Sequence, residues 1–231
     1  MTLPLLLSVP HAGLWVPPEV EDMCILTRRQ IVEDGDEGAA EIYLPLEKET
    51  AGFVTTKVAR AIVDQNRAQD DFQKDGVVKT HTSWDVPIYR EFPSETIVRT
   101  LIDKYYKPYH SALSELSKRV RLGVDCHTMA AEGPPVGPDP GVERPTVCLS
   151  NGDGTCPQPW IEFFAQCLED ALKVRVSINR PFRGGHIIRS HCRELPWIQL
   201  EYSRAPFATD AEKRSGFINA LKKFCKDILG T

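Results

Sequence analysis

The chain has no long Lys/Arg run and no cationic excess. Its 28 basic residues face 32 acidic ones, for a formal net charge of −4. That excludes the basic footprint of a nucleic-acid-binding surface. No apolar stretch approaches the roughly 20 residues that span a bilayer. The run Leu3 to Val9 is short and has no basic lead-in, so it does not read as a signal peptide. Internal repeats, low-complexity segments and linker-like shifts in composition are all missing. Cysteine occurs seven times, but the number is odd and no CxxC pair exists. This pattern points to reduced thiols in a cytoplasmic protein rather than a disulfide framework. The His-Glu-x-x-His signature of many zinc peptidases is absent as well.

What is present suffices for one sizeable core: 42% of the 231 residues are hydrophobic. A single domain over residues 1–231 is expected. Leu3 to Val9 reads as a buried strand ended by Pro10, His11 and Gly13. Short helical patterns cover Thr27 to Glu33 and Asp36 to Lys48, the second with acidic residues at its start. Phe53 to Thr56 and Ala59 to Val63 are strand-like, and Asp70 to Pro93 is mostly loop. Ser94 to Val120 is the longest helix, with apolar residues near a 3.6-residue period. Arg121 to Cys126 and Thr146 to Leu149 read as strands around a Gly/Pro-rich loop, Gly133 to Pro145. Asn151 to Gly154 is a turn. Pro157 to Leu172 is a helix, Val174 to Ile178 and Trp197 to Glu201 are strands, and Asp210 to Leu229 is a helix stopped by Gly230. Alternating strands and helices predict an α/β layered fold, with a central mixed, mostly parallel sheet flanked by helices.

Two histidines stand where strands are expected to end, His11 and His127. In open α/β sheets, ligands gather at the carboxyl ends of strands. One reading has both imidazoles bonded to loop backbone. The other brings them to one zinc site, with a third ligand from the acidic cluster Glu33-Asp34-Gly35-Asp36-Glu37. His191 and Glu194 form a His-x-x-Glu pair, but in a polar stretch that reads as a solvated hairpin. Arg67 closes the polar set Asp64-Gln65-Asn66-Arg67 and offers a planar fork for a carboxylate, or a surface ion pair. Glu201 sits inside an apolar strand, so it faces either solvent or a functional cavity. Cys126 is adjacent to His127, and adjacent strand residues point to opposite faces, which disfavours a thiol–imidazole couple.

Taken together and in order, these segments resemble the N-formylglutamate amidohydrolase family over nearly the whole chain. The resemblance runs through Leu7-Ser-Val-Pro-His11-Ala-Gly13, Asp34-Gly-Asp36 before Ile42-Tyr43, Asp64-Gln-Asn66-Arg67 and Asp125-Cys-His127-Thr-Met129. It continues through Asn151-Gly-Asp-Gly-Thr-Cys156, Phe182-Arg-Gly-Gly-His186-Ile and Gln199-Leu-Glu201. It implies a phosphorylase/hydrolase-like, zinc-peptidase-like version of the α/β fold and an acidic N-acyl amino acid as substrate. It implies zinc held by His11, Asp36 and His127, with Glu201 as general base and Arg60 as oxyanion donor. Asn66 and Arg67 are implied as the clamp on a substrate carboxylate. Three positions depart from the family's pattern. Glu37 replaces a Trp and stands as a rival carboxylate to Asp36, Ala68 replaces a Pro, and the usual Tyr-Met is missing after Glu201.

Overall fold

The computed structural model describes residues 2–152 and 154–230. Six strands form one sheet: β1 Leu3–Val9, β2 Thr50–Thr55, β3 Leu122–Met129, β4 Val147–Ser150, β5 Val176–Ile178 and β6 Trp197–Ser203. Their spatial order is β2-β1-β3-β6-β4-β5. Every neighbouring pair is parallel except β4 with β6, which is antiparallel. This is the expected mixed, mostly parallel α/β sheet. The helices are α1 Arg28–Asp34, α2 Ala39–Tyr43, α3 Glu95–Leu101, α4 Lys107–Ser117, α5 Gln158–Leu172, α6 His186–His191 and α7 Asp210–Phe224. A π turn, Ile102–Tyr106, joins α3 to α4 in one long helix.

Period-two alternation divides the work of the central strands. Leu5, Leu7 and Val9 of β1, Val124 and Cys126 of β3, and Ile198, Leu200 and Tyr202 of β6 share one face. That face packs into the main core with residues of α2, α5 and α7, among them Ile42, Phe164 and Phe217. On the opposite face, the amino-terminal ends of the strands carry Leu6, Gly123 and Trp197, and side chains of α4 and α6 cover them. A Cβ at Gly123 would lie 2.4 Å from the Trp197 ring, so only glycine admits the indole there. Further along, that face turns polar: Ser8, then Asp125 and His127, then Gln199 and Glu201. The switch from apolar to polar along one face leaves the carboxyl ends of three adjacent strands free for chemistry.

Several expected elements differ. Ala59 to Val63 is a hydrogen-bonded turn, with Ile62 and Val63 both donating to the Ala59 carbonyl. Ala59, Ala61, Ile62 and Val63 are buried in a second apolar cluster with Val77, Val78 and Ile88, while Arg60 reaches the cavity. With all its apolar residues buried, so short a run carries no period to separate turn from strand. The helix expected from Asp36 starts at Ala39, behind Gly38 at φ +84°, so Asp36 stands in the preceding loop. The strand expected to end at Cys126 continues to Met129. The segment expected as a hairpin around His191 begins as α6. Asp153, in the turn expected over 151–154, lies outside the described residues. Among those residues, no helix is long and apolar enough to cross a membrane.

Candidate active site

His11 stands two residues past β1, behind Pro10, and is buried. Its Nε2 lies 2.8 Å from Asp64 Oδ1. His127 stands inside β3, with Nε2 2.8 Å from Asp125 Oδ2. Asp125 is itself fixed, because its Oδ1 accepts the Ser8 hydroxyl at 2.7 Å. Each imidazole therefore has its outer nitrogen pledged to a buried carboxylate, and its Nδ1 turns inward. Asp36 sits between the two rings. Its Oδ2 lies 3.0 Å from His127 Nδ1, and its Oδ1 lies 3.5 Å from His11 Nδ1. Asp36 Oδ2 also accepts the Thr128 amide at 3.1 Å, which fixes the carboxylate.

This donor set fits a divalent metal. One atom each from His11, Asp36 and His127 lie within 4.8 Å of one another, and all three residues are buried. The Nδ1 of His11 is buried with no hydrogen-bond partner. With a metal bound, neutral imidazoles that donate from Nε2 would present two lone pairs, beside a carboxylate, to one point. Imidazole with carboxylate suits zinc, and carboxylates that accept from the outer nitrogens usually orient the rings in such sites. Glu37, the rival carboxylate, is exposed, and it is Asp36 that faces the imidazoles.

Glu201 is the in-register partner of His127 on the adjacent parallel strand, so both side chains leave the sheet together. Gln199 Nε2 donates to Glu201 Oε1 at 3.0 Å, which leaves Oε2 toward the cavity. Burial raises the Glu201 pKa, and Asp36 adds to the rise, while the His127 charge opposes it; the net value is about 7. A carboxyl in that range both takes and returns a proton near neutral pH. At His127 burial opposes the cation, but the charges of Asp125 and Glu201 prevail and hold its pKa well above the ordinary value.

The remaining expected residues line the same cavity of about 410 Å³. Arg60 donates from Nε to Asp64 Oδ2 at 3.1 Å, and its Nη1 lies 4.0 Å from Asp36 Oδ1. Asn66 accepts the Ile187 amide on Oδ1 at 2.8 Å, so its Nδ2 faces His127, 3.3 Å from Nε2. That Nε2 is committed to Asp125, so the Asn66 amide hydrogens remain for a ligand. A Cβ at Gly185 would come within 2.2 Å of Asn66 Nδ2, so this glycine makes the approach feasible. Arg67 donates from Nε to the Asp75 carbonyl at 2.7 Å and from Nη2 to its carboxylate at 2.5 Å. It stands at the cavity wall with its fork braced from behind.

Sequence reasoning left some contributors without a role. Six arginines, at 60, 67, 144, 183, 189 and 204, line the cavity against five carboxylates. Arg204 crosses it, bonded to the Glu33 and Gly35 carbonyls and to the Thr128 hydroxyl. The polar positions alternating with apolar ones in Val124-Asp-Cys-His127 and Ile198-Gln-Leu-Glu201 were a signal for Asp125 and Gln199. Nothing local marked Lys79 or Asp75. The His191–Glu194 pair, with Nδ1 3.0 Å from Oε2, lies apart from this cluster and bonds His110 and Ser114 instead.

Comparison with known proteins gives the family and the fold. A family profile described as N-formylglutamate amidohydrolase matches residues 3–208. The chain is similar to the N-formylglutamate deformylase of Pseudomonas putida, at 25% identity over 91% of this chain and 84% of that protein. It is similar to the deformylase of Pseudomonas aeruginosa at 25% identity, over 98% and 93%. Among solved structures, the N-formylglutamate amidohydrolase of Ralstonia eutropha superposes with a TM-score of 0.80 at 19% identity, covering 100% of this chain and 96% of the other. A gene product of Agrobacterium tumefaciens follows at 0.75 and 18%, covering 97% and 90%. Those two likenesses speak for the fold. With the profile spanning most of the chain, this protein belongs to the N-formylglutamate amidohydrolase family.

Proposed function

We propose that the protein hydrolyses the amide bond of N-formyl-L-glutamate, giving formate and glutamate. The observation that carries this reading is the buried His11–Asp36–His127 group, set beside Glu201 in an arginine-rich cavity. His11 Nδ1, His127 Nδ1 and the Asp36 carboxylate would hold a zinc ion. When bound, such an ion lowers the pKa of water from near 16 to about 7 and polarises a carbonyl oxygen.

The protein's own groups account for the rest. Glu201 takes a proton from the attacking water through Oε2 and passes it to the leaving nitrogen. Gln199 keeps the carboxylate aimed throughout. The Arg60 guanidinium, at the edge of the metal group, stabilises the negative charge that develops on the carbonyl oxygen. Asn66 and Arg67 hold a substrate carboxylate, turning binding energy into orientation. Asp64 and Asp125 keep both imidazoles in the tautomer that presents Nδ1 to the centre.

The experiment is metal analysis together with a formate-release assay on N-formyl-L-glutamate. About one zinc per chain is expected, with activity lost on chelation and regained on adding zinc. Full activity in metal-free protein would sink this reading. A panel of N-acetyl and N-succinyl amino acids then tests the acyl group.

A further inference from the structure

Beneath the cavity lies a buried cation that the proposed chemistry does not use. Lys79 has no exposed surface. An ammonium out of water is strongly destabilising unless countercharges meet it. Three do: Nζ lies 2.9 Å from Asp75 Oδ1, 3.3 Å from Asp34 Oδ2 and 3.7 Å from Asp64 Oδ2. None of these carboxylates is idle. Asp64 fixes His11, Asp75 braces Arg67, and Asp34 Oδ1 accepts the Ser83 amide at 2.6 Å.

Two more cations complete the cluster. Arg60 pairs with Asp64, and Arg67 pairs with Asp75. Three carboxylates thus meet three cations. The cations differ in placement: the side chains of Arg60 and Arg67 keep 19% and 28% exposure at the cavity wall, whereas Lys79 is sealed behind it. Without the ammonium, three carboxylates would face two guanidiniums, and the cluster would turn a net charge of −1 toward a ligand. Burial alone would raise the Asp75 carboxyl, yet Lys79, ahead of Arg60 and Arg67, holds it below its ordinary value.

We propose that Lys79 is a positioning residue for substrate charge. By balancing the one carboxylate charge that Arg60 and Arg67 leave over among Asp34, Asp64 and Asp75, it keeps the cluster from repelling the second carboxylate of a dianionic substrate, which Arg67 meets at the cavity wall. It thereby sets the preference for a dianion such as N-formyl-L-glutamate over the monoanion N-formyl-L-glutamine. This inference rests on the N-formyl amino acid reading above.

The test compares kcat/KM for these two substrates in wild type, in Lys79→Met and in Lys79→Met/Asp75→Asn. The dianion-over-monoanion ratio is expected to fall at least about tenfold in Lys79→Met. It should return to within about threefold of wild type in the double variant, where both charges of the pair leave together. A lysine that merely supports the fold would depress both substrates alike; an unchanged ratio in Lys79→Met overturns the proposal. If that variant does not fold, Lys79→Gln takes its place, with the same expected fall, and an unchanged ratio again overturns the proposal. A wild-type protein that cleaves neither substrate refutes the proposed reaction instead. The same ratio is then read from calorimetric binding of glutamate and glutamine to these proteins, with the same expected fall, and an unchanged ratio again overturns the proposal.

Discussion

Asp125→Asn tests the metal centre without touching a proposed ligand. In the native site Asp125 Oδ1 accepts the Ser8 hydroxyl and Oδ2 takes the proton of His127 Nε2. The amide has one oxygen, so it satisfies one of these as an acceptor. If the Asn oxygen stays on Ser8, the amide nitrogen faces His127. The imidazole proton then moves to Nδ1, where it blocks ligation. If the amide flips, its oxygen keeps the His127 bond and Ser8 turns its hydroxyl to Tyr109, 2.9 Å away. The fold survives by this second route, but the charge that stabilises the Nε2 proton is gone. Carboxylate partners of this kind are typically worth 10–100-fold in metal affinity, or about 1.4–2.8 kcal/mol. Competition with a zinc chelator should therefore show affinity weakened by that range. Excess zinc should restore most of the turnover, and Ser8→Ala should behave as a mild version. Affinity within threefold of wild type would refute the claim that Asp125 sets the His127 tautomer.

Glu201→Gln should retain zinc and fold while losing about 10²–10⁴-fold in turnover; residual activity above a tenth of wild type would remove Glu201 as the base. Gly185→Ala drives a methyl into the Asn66 amide, so KM should rise and stability fall by about 1–3 kcal/mol in chemical denaturation; an unaltered KM would separate Asn66 from substrate binding. Phe217→Ala empties a fully buried position among Tyr43, Phe164 and Tyr202, and should cost about 3–5 kcal/mol, a loss under 1 kcal/mol counting against the packing described. At Asp34 and Asp75 burial pushes the carboxyls up, but Lys79 and the arginines hold both below their ordinary values. Their contribution to stability is complete above the unfolded pKa near 4 and is lost as pH falls through the lower folded values. The denaturation midpoint should decline below about pH 4, and a flat profile down to pH 3 would contradict this.

Elements with a clear boundary or period were legible in the sequence: Leu3–Val9, an apolar run closed by Pro10 and Gly13, and the long helices from Glu95 and Gln158 lie where they were expected. Where burial was total or contacts were long-range, the sequence carried less. Ala59 to Val63 looked like a strand because all its residues but Arg60 are apolar, and nothing in the run reveals that it turns under a second core. His127 was expected just past its strand. It lies within the strand because Thr128 and Met129 continue the ladder to Tyr202 and Ser203, pairings set by residues about seventy positions away. The candidate ligands were legible only through ordered motifs. Local spacing left His11 and His127 open between backbone bonding and a shared centre, and the geometry puts both against Asp36. Lys79 was invisible for the opposite reason. A lysine in a polar stretch reads as solvated until the fold surrounds it with carboxylates.

The order of strands has a consequence for how the molecule comes together. The last strand in the chain, β6, lies in the middle of the sheet, hydrogen-bonded to β3 on one side and β4 on the other. During synthesis the β2-β1-β3 half and the β4-β5 pair have no seam to join them until residues 197–203 emerge. Closing that seam is a non-local step, of the kind that slows folding. It also brings Glu201 beside His127. Partly made chains therefore hold the histidines and their aspartates without the proposed base, and the strand that unifies the sheet is the one that brings it in.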